Sequence, residues 1–505
     1  MGKQFNCNYQ GFGDYFCNPK SGVMKKYFVI VVLLFLVCLC HAEKVTIRIV
    51  GEGISAGFTA KHTSLIQQAI DSCYAHSDGG CVILSQGVYT SGTLFLKSNV
   101  ELRLEKGAVL MGSTNPYDYV GLEPIEGGDN SKQALILADR MDNIAITGEG
   151  MIDGNGRTLA LNIDSLHHIG ERIDPNYNIR RMRPNETARP KLFFLSACTN
   201  VRIEGVQLKN SACWGLSLDR CSDVSIEHIR FENRAYWNND GIDITDCRRV
   251  AVRHCFINSA DDGICLKSYH TDAFNEEIEI TDCDIISSAS AVKMGTASWG
   301  GFKKVRIKDI RIRDTFRSAI AIECVDGGII DDILVENIRA LNTGNALFIR
   351  LGHRKGEAPG TLKNVTIRNL YVEVPFGRPD INYDMRGPAV DFFHNPIPSS
   401  ITGIPGHRVE NVVLEDIEVV YPGRASKGMA YIPLSRLHQV PEQIQKYPEF
   451  TMFGELPSWA LFVRHVKGLT MRRVRFHLKE DDFRPPFVFD DVEELVMEEV
   501  DLFTK

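Results

Sequence analysis

One short phrase recurs along the chain and leaves it few folds to adopt: NVRIEGVQL (200–208), DVSIEHIRF (223–231), RVAVRHCFI (249–257), EIEITDCDI (277–285), KVRIKDIRI (304–312), DILVENIRA (332–340), NVTIRNLYV (364–372) and NVVLEDIEV (411–419). Each copy alternates apolar and polar residues, breaks at a polar pair and alternates again. That is strand periodicity, enriched in β-branched side chains. The first apolar positions, Val201, Val224, Val250, Ile278, Val305, Ile333 and Val365, lie 23, 26, 28, 27, 28 and 32 residues apart. Strands returning at such a period, with no amphipathic helix between them, are the signature of a solenoid. Strands one coil apart must then run parallel and in register, so the sequence predicts an all-β fold, a single-stranded right-handed parallel β-helix.

Weaker copies at NVELRL (99–104), NIAITG (143–148), GLTMRRVRF (468–476) and ELVMEEVDL (494–502) extend the pattern toward both ends. Steps of 47 and 57 residues on either side of Val412 predict long inserted loops, at 373–410 and 420–467. The stretch HTSLIQQAIDSCYAH (62–76) has helical apolar spacing and is expected to cap the open N-terminal end, as terminal repeats require. Length alone suggests about three domains, but the repeat makes residues 43–505 one.

The N-terminal residues stand outside this pattern. From Met24, two lysines precede an apolar run from Tyr27 to Cys40, and Ala42 follows. A charged start, an apolar centre and a small residue form a secretory signal, too short for a membrane span. Residues 1–42 are therefore expected to be an upstream extension and signal peptide, and the remainder secreted or periplasmic with no membrane span. Their removal takes four lysines and one aspartate, moving the net charge from −7 to −10. With no Lys/Arg run, no nucleic-acid partner is expected. No cysteine pair has CxxC spacing, so no zinc site is expected. Cys73 and Cys81 are spaced so that a disulfide could join them, whereas Cys255 and Cys283 recur at equivalent repeat positions, as stacked core residues would.

A second strand phrase alternates with the first: WGLSLDRC (214–221), DGIDITDC (240–247), DDGICLKS (261–268), SAVKMGTA (290–297), SAIAIECV (318–325) and NALFIRLG (345–352). Aligned on their apolar pairs, these put Ser217, Asp243, Cys265, Lys293 and Ala321 in one outward column, with Thr245, Lys267, Gly295 and Glu323 beside it. Asp240 and Asp262 then sit one coil apart, about 4.8 Å in backbone spacing, and Asp261 adjoins Asp262. Three crowded carboxylates should raise at least one pKa, which suits general acid catalysis and the acid/base pair of glycoside hydrolysis. Spacing alone leaves open Asx turns or a calcium site at coil corners.

NNDGIDITDC (238–247) followed by SADDGICLKS (259–268) resembles the paired signature of glycoside hydrolase family 28, the polygalacturonases, and SACWGLSLDRC (211–221) resembles that family's preceding coil. The resemblance implies a β-helix and inverting hydrolysis of pectic α-linkages. Asp261 matches the general acid, Asp240 and Asp262 the carboxylates that hold and activate water, and Asn238 the motif asparagine that orients them. It implies no cofactor and no metal. The chain departs from the family at Ser290, where the pattern has the histidine of Gly-His-Gly, and at Ala321-Ile322-Glu323, where it has Arg-Ile-Lys. Lys267 and Lys293 are candidates to replace the lost cations at a sugar carboxylate. Arg350 and His353 are candidates to reach the groove from the next coil, His270 to stand in for the histidine, and Trp214 to stack on a sugar.

The expectation is thus a secreted, monomeric hydrolase of a pectic or related acidic polysaccharide or oligosaccharide. It is expected to act near chain ends, because the insertions, notably the aromatic YPEFTMFGELPSW (447–459), can wall off the groove. The alternatives are a lyase on the same fold, using a lysine base, and a β-helical glycan-binding protein without catalysis.

Overall fold

The computed structural model describes residues 44–51, 59–122, 131–379, 397–428 and 432–504. The predicted signal segment lies outside them. Among the described residues no helix is long and apolar enough to cross a membrane.

Every ladder between the named strands is parallel, and the repeated phrase supplies the register. Val201 pairs with Val224, Val224 with Val250, and so on through Ile278, Val305, Ile333, Val365, Val412, Leu469 and Leu495. The chain is a parallel β-helix of three stacked sheets. The polar pair inside each phrase is the corner between two sheets. There His228, His254, Asp282, Asp309, Asn337 and Asn369 take left-handed backbone angles, with φ between 50° and 58°. One such residue turns the chain through a corner without a loop, and Asn and Asp adopt the conformation most readily among residues with a Cβ. The apolar positions of all three sheets meet in one continuous core. Cys255 and Cys283 are buried there, as equivalent residues of neighbouring coils.

The N-terminal helix spans Thr59–Ala75 and buries Ile66, Ala69, Ile70 and Cys73 against the first strands, with its Gln67 side chain donating to Phe95 O at 3.1 Å. Cys73 is a free, fully buried thiol, so the Cys73–Cys81 bridge is not made. A second helix, Gly156–His168, opens an insertion between the coils of Ile144 and Val201, a step of 57 residues that equals the step after Val412. Of the predicted loops, residues 380–396 lie outside the described region. The other loop contains the short helix Leu434–Gln439 and folds back over the sheet that carries the second phrase.

Glycines follow two of the three aspartates for a steric reason. A Cβ on Gly241 would lie 2.3 Å from Gly263 O, and one on Gly263 would lie 2.5 Å from Ala291 O and 2.6 Å from Ile285 Cγ2. The coils can stack at this corner only without side chains. Gly263→Ala is expected to cost about 1–3 kcal/mol, as overpacking does, and to move Asp262 with it. Thermal melting together with turnover per folded molecule checks this; an unchanged melting temperature would show that the corner has slack.

Candidate active site

The second phrase builds the site. Its strands Leu216–Asp219, Ile242–Thr245, Ile264–Ser268 and Val292–Ser298 stack so that Ser217, Asp243, Cys265, Lys293 and Ala321 form one column, and Thr245 pairs with Lys267 beside it. Asp240 and Asp262 are equivalent by the same ladder, with the Gly241 N–H donating to Asp262 O at 2.9 Å. The predicted column is therefore present, but it does not face open water. Asp243, Cys265, Lys293, Glu323 and Ala321 are all buried.

Burial makes the charges pair. Lys267 Nζ donates to Asp240 Oδ2 at 3.0 Å and also to Asp243 Oδ1. Burial pushes the Asp240 carboxyl well above the usual carboxylate range. The Lys267 ammonium opposes this, and the Asp243, Asp261 and Asp262 carboxylates reinforce it. Lys267 itself is held well above its ordinary value, because the two aspartates outweigh its desolvation. One coil on, Lys293 Nζ lies 3.2 Å from Asp262 Oδ2 and 3.8 Å from Glu323 Oε2, and the Ser290 N–H donates to Asp262 Oδ1 at 3.1 Å. Burial alone would raise Asp262, but Lys293, then Arg317 and Lys267, outweigh it and hold the carboxyl below its usual range. Glu323, which accepts from Thr296 Oγ1 at 3.0 Å, is pushed up to about 8 by burial. Of the three predicted aspartates, Asp240 and Asp262 are buried and Asp261 is half-buried. The Asp261 backbone is pinned, its carbonyl accepting from Ser259 Oγ at 2.7 Å and Ser287 Oγ at 2.6 Å.

Several predicted binding residues have other work. Lys267 is paired with Asp240 and Asp243, and Lys293 with Asp262, so neither is free to take a sugar carboxylate. Asn238 does not orient the aspartates. Its Oδ1 accepts from Arg183 Nη1 at 3.1 Å and Arg189 Nη2 at 2.8 Å. Trp214 offers no open stacking face, since it is 9% exposed and Lys267 Nζ sits 3.4 Å from its ring centroid. Arg350 is 1% exposed and donates to Gly403 O at 2.8 Å and Glu442 O at 2.7 Å, so it anchors the insertion rather than reaching the groove. His353 Nε2 lies 3.1 Å from Gly356 O, and its N–H donates to Ile444 O at 2.8 Å. His270 lies beside Asp219, with Nε2 3.7 Å from Oδ1.

The structure brings in residues that the phrase analysis missed. Arg183, from the insertion after the second helix, is drawn toward Asp261, stacks 4.2 Å from the Trp237 ring centroid, and is lowered to about 10 by burial and then by Arg189. Arg317 feels Asp261 and Asp262 and pairs with Glu449 of the late insertion. Tyr447 Oη accepts from Lys293 Nζ at 3.4 Å. Past Lys293 the column continues as Ala321, Phe348, Ser400, Phe462 and Val488. Over it Phe450, Met452, Phe453 and Leu456 of the insertion form a second apolar cluster, which closes this end of the face. The arginine-dense stretch RIDPNYNIRRMRPNETARP (172–190) was the one sequence signal for Arg183.

A family model described as "Glycosyl hydrolases family 28" matches residues 85–376. An endo-polygalacturonase of Pectobacterium parmentieri is 23% identical over 320 residues, 60% of this chain and 77% of its own length. An exo-poly-alpha-D-galacturonosidase of Dickeya chrysanthemi is 27% identical over 253 residues, 43% of this chain and 41% of its own. The solved family 28 exopolygalacturonase of Yersinia enterocolitica shares the fold, with a TM-score of 0.66 at 18% identity over 89% of this chain and 78% of that one.

Proposed function

The chain belongs to glycosyl hydrolases family 28, which makes it a polygalacturonase-like glycoside hydrolase, and we propose that it removes residues from the chain ends of a pectic or related acidic polysaccharide, with inversion. The observation that carries the end-acting mode is the apolar cluster of Phe450, Met452, Phe453 and Leu456 seated on Ala321, Phe348 and Phe462. A long chain cannot run past a groove closed one coil beyond Lys293. The Dickeya relative's name describes the same mode of attack.

In this scheme Asp261 is the general acid, because it alone of the three aspartates is half-buried rather than buried, which leaves it open to a leaving oxygen. Asp262, held ionised by Lys293, takes the proton of the attacking water, and Asp240 positions that water. Arg183, which feels the Asp261 charge, replaces the family's Arg-Ile-Lys as the cation for a uronate carboxylate. A lyase needs a base that can accept a proton. The two groove lysines are held protonated by their carboxylates, which argues against that alternative. The protein is also proposed to be secreted or periplasmic, on the strength of the leader pattern from Met24, and to act as a monomer.

The test is digestion of polygalacturonate and pectic oligosaccharides, followed by chromatography and by proton NMR of the nascent anomer. The expected result is short product from the start and the inverted anomer first. Early mid-sized fragments would overturn the end-acting mode, and ultraviolet-absorbing unsaturated ends would overturn hydrolysis.

A further inference from the structure

Three successive coils each deliver one metal-ligating side chain to the same corner. Asp219 ends the strand Leu216–Asp219, Asp246 follows Ile242–Thr245, and His270 lies just beyond Ile264–Ser268. One ligand atom from each lies within 4.8 Å of the other two. Asp219 is 6% and Asp246 4% exposed. The catalytic scheme uses none of the three.

The two carboxylates are incompletely satisfied. Asp246 Oδ2 accepts from the Tyr269 N–H at 2.9 Å and the His270 N–H at 3.2 Å, which fixes the carboxylate and presents its other oxygen to the corner. That oxygen, Asp246 Oδ1, and Asp219 Oδ1 are both buried without a hydrogen bond of good geometry; the Ser268 hydroxyl, which accepts from the Gly300 and Gly301 N–H groups, also acts on the Asp246 carboxyl. His270 Nε2 lies 3.7 Å from Asp219 Oδ1, too long for a hydrogen bond. A buried carboxylate oxygen without a partner is costly. Two of them converging with an imidazole leave a gap of a definite size. Ligands about 2.0–2.2 Å from a metal lie roughly 3–4.4 Å from each other, and the spacings here fall close to that range.

We infer that Asp219, Asp246 and His270 form a binding site for a divalent transition-metal cation of the Mn2+/Zn2+ class, which clamps the corners of three consecutive coils. The imidazole selects this class over Ca2+ and Mg2+, which favour oxygen ligands alone, and two carboxylates balance the charge of the ion. The corner borders a cavity lined by Ser217, Thr245, Tyr269, Lys191 and Trp214, toward which further coordination positions would open. Lys191, which also lines this cavity, is lowered to about 7 by burial and so carries only part of a charge near neutrality. The inference departs from the expectation of no metal and does not depend on the hydrolytic scheme.

The test uses the whole mature chain, stripped with chelator and titrated with Mn2+ by electron paramagnetic resonance and with Zn2+, Ca2+ and Mg2+ by calorimetry. Melting is followed in parallel. One saturable Mn2+ or Zn2+ site per chain is expected, with a melting temperature that climbs with metal concentration. Asp246→Asn and His270→Gln should each weaken binding by roughly tenfold or more and flatten the metal dependence of melting. Asp219→Asn serves as a third variant should one of these fail to fold. Absence of saturable binding up to millimolar Mn2+ and Zn2+ would overturn the site. So would binding that survives in folded variants, or a preference for Ca2+ or Mg2+.

Discussion

Asp261→Asn should lose on the order of 10²–10⁴-fold in turnover, the contribution of a general acid, while melting close to the wild-type temperature. The amide matches the carboxylate in shape. Backbone bonds hold this corner: the Asp261 carbonyl takes Ser259 and Ser287, and its N–H donates to Asn239 O at 3.2 Å. None of them is touched by the substitution. Removing the charge relieves repulsion with Asp240 and Asp262 and gives up attraction to Arg183 and Arg317, two changes that oppose each other and keep melting close to wild type. The role is separated from that of its neighbours by the leaving group. A substrate whose departing group needs no proton should restore much of the activity of Asp261→Asn and none of that of Asp262→Asn, whose defect is in activating water. This comparison matters because burial pushes the Asp240 carboxyl well above its usual range, so pKa alone would nominate it as the acid. Restoration in Asp240→Asn and not in Asp261→Asn would transfer the acid role to Asp240.

The parts of the site that were legible in the sequence are those that the repeat itself places. Period-two alternation decides which face a residue takes, and coil equivalence decides its neighbour, so the stacking of Asp240 on Asp262 and of Cys265 on Lys293 followed from alignment alone. What alignment could not supply is whatever comes from outside the repeat. The column was expected to face water and is buried; from Lys293 onward residues 447–456 fold over it, and nothing in the phrases says where an insertion lands. Arg350 alternates outward as expected, and it ends in backbone carbonyls because that insertion is there to receive it. Lys267 and Lys293 were rightly placed on the groove face, but burial decides their partners. A solvated lysine can wait for a sugar carboxylate, whereas one paired with Asp240 and Asp243, or with Asp262, is already taken. Arg183 lay outside the analysis for the same reason as the helix before it, since its segment has no repeat to align with.

Lys293→Met should be the most damaging single change at the site, and its effect should depend on pH in a direction set by Asp262. The Lys293, Asp262 and Glu323 side chains are 3%, 7% and 3% exposed. Removing one partner of a buried pair leaves an uncompensated charge and costs about 3–5 kcal/mol. Glu323, already at about 8, can escape by keeping its proton near neutrality, so the burden falls on Asp262. In the wild type the Asp262 carboxyl is depressed below its unfolded value. Its stabilising contribution is therefore complete above the unfolded pKa and is lost as pH falls through the folded one. Without Lys293 the carboxyl moves up and the sign reverses: the ionised form becomes the burden and protonation relieves it. The melting-temperature gap between wild type and variant should thus be wide at pH 8 and narrow toward pH 4. Turnover carries the same signature. If Asp262 must be ionised to take the proton of water, the acid limb of kcat/KM shifts to higher pH in Lys293→Met and returns toward its original position in Lys293→Arg, which restores a cation. A merely structural lysine would lower the folded fraction and leave that limb where it is, and an unmoved limb in a folded variant would remove Asp262 from the base role.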